Sequence, residues 1–212
     1  MDKNIWLERW EQNRIAFHEP DPNPLLVNNF NQLSLPEGSR VFLPLCGKTL
    51  DIPWLLAKGY AVAGAELIKI AVEQLFSDLG VQPVVTSIGG IDRYSADRIN
   101  IFCGDIFHLS ADLLGPIQAI YDRAALVALP AELRVRYAKH LTAITANAPQ
   151  LLITYEYDQS LTDGPPFSVS KQEVEQHYQS TYRITHLSTT DVQGGLRGQC
   201  PAKEHTWLLN RQ

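Results

Sequence analysis

Residues 40–66 read RVFLPLCGKTLDIPWLLAKGYAVAGAE, and this stretch decides the fold. Val41, Phe42, Leu43 and Leu45 form an apolar run too short for a helix and too unbroken for an edge strand. A strand buried on both faces is predicted. Pro44 lacks a ladder donor and marks the strand's frayed last residues. Cys46-Gly47 makes a turn, and Thr49 or Asp51 is placed to cap the helix that follows. Ile52, Leu55 and Leu56 recur at helical spacing, and Gly59 ends that helix. Tyr60 to Ala65 forms a second strand leading to Glu66. Glu66 lies about 20 residues past Gly47, where doubly wound nucleotide-binding folds place the acid that holds a ribose. An adenosine-containing cofactor is the expectation.

Alternating strands and helices continue on both sides of this unit. Ile5 to Phe17 carries Trp6, Trp10 and Asn13 at helical steps, and three prolines between Pro20 and Pro24 stop it. Leu25 to Leu33 and Lys69 to Leu79 read as helices. Pro83 to Asp97 is ambiguous, with short strands and a loop around Gly89-Gly90 as one reading. Strands are predicted at Asn100–Cys103, Ala119–Tyr121 and Leu151–Tyr155, and a helix from Pro130 to Ala146. Ser170 to Gln179 is a helix, with Ser170 and Glu173 as a capping box. Tyr182 to Thr189 and His205 to Leu209 are closing strands without a helix-length gap between them. This order predicts an α/β fold with a mostly parallel sheet and an antiparallel end.

Bulk composition narrows the function. The 212 residues suit one domain, 45% of them are hydrophobic, and the net charge is -5, from 18 Lys+Arg against 23 Asp+Glu. No dense basic run is present, so neither a nucleic-acid partner nor a membrane surface is expected. The opening residues are too polar for a secretory signal, and no apolar stretch reaches membrane-spanning length. Cys46, Cys103 and Cys200 lack paired spacing, which argues against a disulfide framework and a zinc site. A cytoplasmic monomer acting on a small molecule is expected.

In open α/β sheets, ligands bind at the carboxyl ends of the strands. Here those ends carry Cys46-Gly47, Glu66, Gly104-Asp105 and Asp122-Arg123. Gly47 lets the backbone approach a ligand, Glu66 suits ribose hydroxyls, Asp105 suits an amine or adenine edge, and Arg123 offers a planar fork to an anion. The turn has a single glycine, without the GxGxxG of nicotinamide sites or the spacing of a P-loop. Trp6 and Trp10 suit either core packing or a lid, where a ring face would attract a sulfonium cation.

The pieces WLERWEQNRIAFHE, RVFLPLCGKTLDIPWLLAKGYAVAGAEL, YDRAALVALP and GPPFSV are similar, in this order, to those of the thiopurine S-methyltransferases, especially the bacterial members. The resemblance covers nearly the whole chain. It implies a Rossmann-like class I methyltransferase with a seven-stranded sheet, helices on both faces, and a helical lid over residues 1–35. The implied cofactor is S-adenosyl-L-methionine, and the implied reaction is S-methylation of aromatic and heterocyclic thiols. By resemblance, Trp6 and Trp10 lie over the cofactor, and Leu45 and Gly47 contact its methionine part. Glu66 holds the ribose, and Asp105 and Ile106 the adenine. Arg123 sits near both cofactor and transfer site as the catalytic residue. Phe17 and Arg197 border the acceptor, and His18 is a candidate proton acceptor. Two rival readings are a methyltransferase for small thiols, halides or metalloid anions, and a non-catalytic adenosyl-binding module.

Overall fold

The computed structural model describes residues 3–15 and 18–212. Two helices lead in, α1 (Lys3–Glu11) and α2 (Pro24–Asn29), the second continued by a 3-10 turn at Phe30–Leu33. The predicted strand–helix–strand unit follows as β1 (Arg40–Leu43), α3 (Asp51–Ala57) and β2 (Ala61–Glu66). Next come α4 (Lys69–Asp78), β3 (Val84–Ile88), β4 (Ile91–Ala96), β5 (Ile99–Cys103), α5 (Ala111–Leu114) and β6 (Ala119–Asp122). The chain ends with α6 (Ala131–Ile144), β7 (Gln150–Tyr157), α7 (Lys171–Tyr178), β8 (Tyr182–Asp191) and β9 (Ala202–Arg211).

The nine strands among the described residues form one sheet in the order β3-β4-β5-β2-β1-β6-β7-β9-β8. The five central strands are parallel, and both ends are antiparallel. The expected count of seven and the single antiparallel end are therefore corrected. The two extra strands are the β3–β4 hairpin, turned at Gly89-Gly90, which extends the sheet beyond β5. The hairpin bears out the reading of short strands around Gly89-Gly90; patterning left that segment ambiguous because β3 is an edge strand, with Val84 68% exposed and no buried face to impose alternation.

The unbroken apolar runs are explained by two cores, one on each face. Phe42, Ala63 and Ala65 face the layer made by α6 and α7, where Tyr137, Leu141, Val174 and Tyr178 are buried. Val41, Leu43 and Val62 face α3 and α4, where Ile52, Leu55, Val72 and Leu75 are buried. Leu26, Phe30 and Leu33 join this second core, so this part of the expected lid is packed structure. Gly64 in β2 is required by close packing. A Cβ there would lie 2.6 Å from Ile101 Cδ1 and 2.8 Å from Cys46 Sγ. No helix among the described residues is long and apolar enough to cross a membrane.

Several helix ends depart from the sequence reading. The first helix, expected to run to Phe17 and stop at the prolines, ends at Glu11, ahead of Asn13 in the left-handed conformation (φ 53°). Ser170 caps α7 by accepting from the Glu173 amide at 3.3 Å. The Glu173 carboxylate completes no box; it accepts from Arg134 Nε at 2.6 Å. Asp51 does not cap α3; the Thr49 hydroxyl accepts from the Asp51 amide at 3.3 Å, and Leu50 at the N-cap position offers no side-chain bond. Asp51 is used elsewhere.

Candidate active site at the carboxyl ends of the strands

A cavity of about 550 Å³ opens beyond the carboxyl ends of β1, β2 and β6. Its floor is the turn after β1. The Cys46 amide donates to the Ala65 carbonyl at 2.9 Å, drawing the turn onto β2. Gly47 (φ 54°) then aims its amide at Glu66 Oε2, 2.8 Å away, and the Ile68 amide donates to Oε1 at 2.8 Å. Glu66 is thus buried with both oxygens engaged, each keeping a lone pair for a further donor. Burial pushes its pKa up, and the amides of Ile68, Gly47 and Leu67 oppose that rise. Leu45, beside this turn, is held at φ 48°, a left-handed conformation uncommon without glycine. Ala124 (φ 59°) and Arg197 (φ 54°) share that feature and also line the cavity. Backbone strain of this kind collects where a surrounding structure positions a ligand.

Arg123 stands at the end of β6 with only 9% of its side chain exposed. Its guanidinium pairs with Glu19 and lies 3.9 Å from Asp51 Oδ2. Asp51 is 1% exposed and accepts from the Asn23 amide at 2.7 Å and the Thr49 hydroxyl at 2.9 Å. It joins the Pro20–Pro24 turn to the floor of the site instead of capping α3. Burial disfavours the Arg123 charge, but Tyr121, Glu19 and Asp51 outweigh it, so the guanidinium's pKa is raised. Asp122 points to the opposite side of β6, as strand alternation requires. It is fully buried, accepting from the Tyr137 hydroxyl at 2.6 Å and the Leu126 amide at 3.0 Å. Burial raises its pKa from 3.8 to about 6.

The remaining expected residues divide. Trp6 lines the cavity and carries the Arg9 guanidinium 5.1 Å from its ring centroid. Trp10 is buried against Ile68 and Ala71 and is not among the described cavity walls. The two rings lie one turn apart on the same face of α1, and Trp6, partly buried against the same cluster, also reaches the cavity. Asp105 is exposed and caps a 3-10 turn by accepting from the Phe107 amide at 3.0 Å, while Ile106 is buried in the core. Neither lines the described cavity. His18 does. Burial, then Lys48, lowers its pKa, and its Nδ1 has no protein partner among the described residues. Arg197 lines the cavity and donates to the carbonyls of Asp163, at 3.2 Å, and Pro165. Phe17 lies outside the described residues.

Glu19, Asp51, Tyr121 and Tyr155 were missed by sequence reasoning, yet all line the cavity. Tyr121 had a signal, since it lies two residues from Arg123 on a strand and shares its face. Glu19 had none, because a proline-rich turn has no period that fixes side-chain direction.

A family model described as thiopurine S-methyltransferase matches residues 1–211. A protein named thiopurine S-methyltransferase from Xanthobacter autotrophicus is 54% identical over 212 residues, covering 100% of both chains. One of the same name from Gluconobacter oxydans is 48% identical, covering 97% of this chain and 94% of its own. Among solved structures, an S-adenosylmethionine-dependent methyltransferase from Anabaena variabilis aligns with a TM-score of 0.68 at 13% identity, covering 99% of this chain and 95% of its own. A Burkholderia thailandensis 1,6-didemethyltoxoflavin N1-methyltransferase with bound S-adenosylhomocysteine aligns at 0.66 and 12% identity, covering 98% and 87%. At such identities these structures speak to the fold, while the two close relatives and the family match reach further. The chain belongs to the thiopurine S-methyltransferase family and is an S-adenosyl-L-methionine-dependent methyltransferase.

Proposed function

We propose that the protein methylates the sulfur of aromatic and heterocyclic thiols, thiopurines such as 6-mercaptopurine among them. The observation that carries this reading is the sharing of one cavity by Glu66 and Arg123, a buried acid beside a glycine turn and a buried cation at a neighbouring strand end. The names of the close relatives support the thiopurine class.

The residues present fit the cofactor. Glu66 retains acceptor capacity for ribose hydroxyls, and the Leu45–Gly47 turn lines the cavity beside it, where a methionine group would lie. A cavity of about 550 Å³ falls in the range of small-molecule sites. When bound, S-adenosyl-L-methionine supplies an electrophilic methyl, which the acceptor's thiolate takes as the sulfonium C–S bond breaks, leaving S-adenosyl-L-homocysteine.

The chain's own residues then have four tasks. Glu66, Gly47 and Leu45 hold the donor. Trp6 presents a ring face that suits a sulfonium and helps exclude water. Arg123 favours the thiolate form of the acceptor through its charge. Asp51 and Glu19 orient Arg123, with buried Asp51 the fixed partner and the 35% exposed Glu19 the exchangeable one. His18, uncharged near neutral pH because its pKa is lowered, is placed to accept a proton from acceptors still protonated. Alignment of donor and acceptor is the remaining contribution, worth up to roughly 7–11 kcal/mol in favourable systems.

Mass spectrometry on mixtures of enzyme, S-adenosyl-L-methionine and one acceptor tests the proposal. S-methylated 6-mercaptopurine is the expected product. Methylation of iodide or selenite with none of the thiopurine would replace this reading.

A further inference from the structure

The cavity wall is more basic than the chain that builds it. Arg9, Arg14, Lys48, Arg123 and Arg197 face Glu19, Asp51 and Glu66 there, although the whole protein carries a net charge of -5. The carboxylates are committed to the deep end. Glu66 binds backbone amides, and Glu19 and Asp51 bind Arg123. Lys48 has its own acid in Asp78, 3.2 Å away. An excess of cations is left at one part of the rim.

Three arginines from two distant stretches of chain meet there. Arg9 comes from α1 and Arg14 from the segment after it. Arg197 comes from the loop between β8 and β9. Two of them, Arg9 and Arg197, are held in place. Arg9 lies over the Trp6 ring, and Arg197 is tied to the Asp163 and Pro165 carbonyls. Arg14 leans on Glu8 at 2.8 Å, with both side chains more than half exposed. They are close enough that Arg197 and Arg14 add to burial in lowering the Arg9 pKa. Gathering like charges costs energy unless an anion is bound among them. A surface pair such as Arg14–Glu8 is worth little and is readily exchanged for a ligand carboxylate.

We propose that Arg9, Arg14 and Arg197 form an anion-selecting rim, so that the preferred acceptors are aromatic thiols carrying a carboxylate in addition to the reacting sulfur. This inference rests on the thiol-methylating reading of the cavity and names its substrate class. The guanidinium forks suit a carboxylate in geometry as well as charge. A ring between rim and Arg123 would be oriented with its sulfur inward.

The matched probes are 4-mercaptobenzoate and 4-mercaptobenzamide, alike in shape and different in charge. Calorimetry on enzyme saturated with S-adenosyl-L-homocysteine reads their binding, and kcat/KM reads their turnover. The wild-type protein is expected to favour the carboxylate by about tenfold or more, as charge-assisted hydrogen bonds allow. That ratio should fall toward unity in an Arg9→Gln/Arg14→Gln variant, and should shrink with added salt. Equal wild-type affinities, or a ratio the variant leaves unchanged, would overturn the proposal. A variant that loses S-adenosyl-L-homocysteine affinity while keeping the ratio would give the rim to the cofactor instead, and also overturns it. Methylation of the amide without any preference for the carboxylate refutes this inference alone. Binding of both probes with no methylated product refutes the thiol reading, and the binding ratio still decides the rim.

Discussion

The ends of β2 and β6 each bury a charge, and they stabilise it by different means. Glu66 is satisfied by amides of its own neighbourhood, Ile68 two residues on and Gly47 in the turn of the same strand–helix–strand unit. Arg123 is satisfied by side chains from remote segments, Glu19 before the first strand and Asp51 at the start of α3. The first arrangement is a property of a local motif. The second exists only when three separate pieces of chain are assembled. A backbone-held acid tolerates change elsewhere in the protein, whereas a side-chain-held cation depends on every partner.

Replacing Arg123 with Ala breaks the second arrangement most directly. The kcat/KM for 6-mercaptopurine should fall by about 10²–10³, as when a single charge-stabilising donor is removed from an active site. Unchanged kcat/KM would end its catalytic assignment. Stability should fall too, since Asp51 is 1% exposed and would lose its cation. Asp122, the other side of the same strand, supplies a contrast in pH. Its folded-state pKa of about 6 lies above the ordinary 3.8, so the fold binds its proton more tightly than the unfolded chain does. Its contribution is fully present below pH 3.8 and is lost as pH rises through about 6. At roughly 1.4 kcal/mol per pH unit this amounts to about 3 kcal/mol. Denaturation of Asp122→Asn should lack that slope, and a slope equal to the wild type's would reject the assignment.

The local arrangement is sharpened by Glu66→Gln. Calorimetry should show S-adenosyl-L-methionine bound about 10- to 100-fold more weakly, on the scale of hydrogen bonds to a charged group. Unaltered affinity would remove Glu66 from the cofactor site. The smallest effect is expected for Gly64→Ala beneath the turn. Its methyl would press on Ile101 and Cys46, costing about 1–3 kcal/mol in thermal or urea unfolding. A neutral result would show that the Cys46 turn yields more easily than its packing suggests.

Legibility in the sequence followed the same division. The central strands and most helices were readable because burial on both faces leaves apolar runs, and helical faces leave a period. The β3–β4 hairpin was readable only as one of the alternatives for its segment, since an exposed edge imposes no pattern. Glu66 was readable from its spacing to Gly47. Trp6 and Trp10 were read together on one helix face, and both do pack at the Ile68–Ala71 cluster, but of the two Trp6 alone is among the described cavity walls. Asp51 had the position of a helix cap, and only the packed structure shows it accepting the Asn23 amide instead.

The sequence by itself determined the parallel core, the turn at Cys46-Gly47 and the acid at Glu66, because these depend on residues near one another in the chain. The tertiary structure alone decided what holds Arg123, which tryptophan reaches the cavity, and that Arg9, Arg14 and Arg197 share a rim. Those outcomes depend on the distance between residues far apart in sequence, and no local pattern records it.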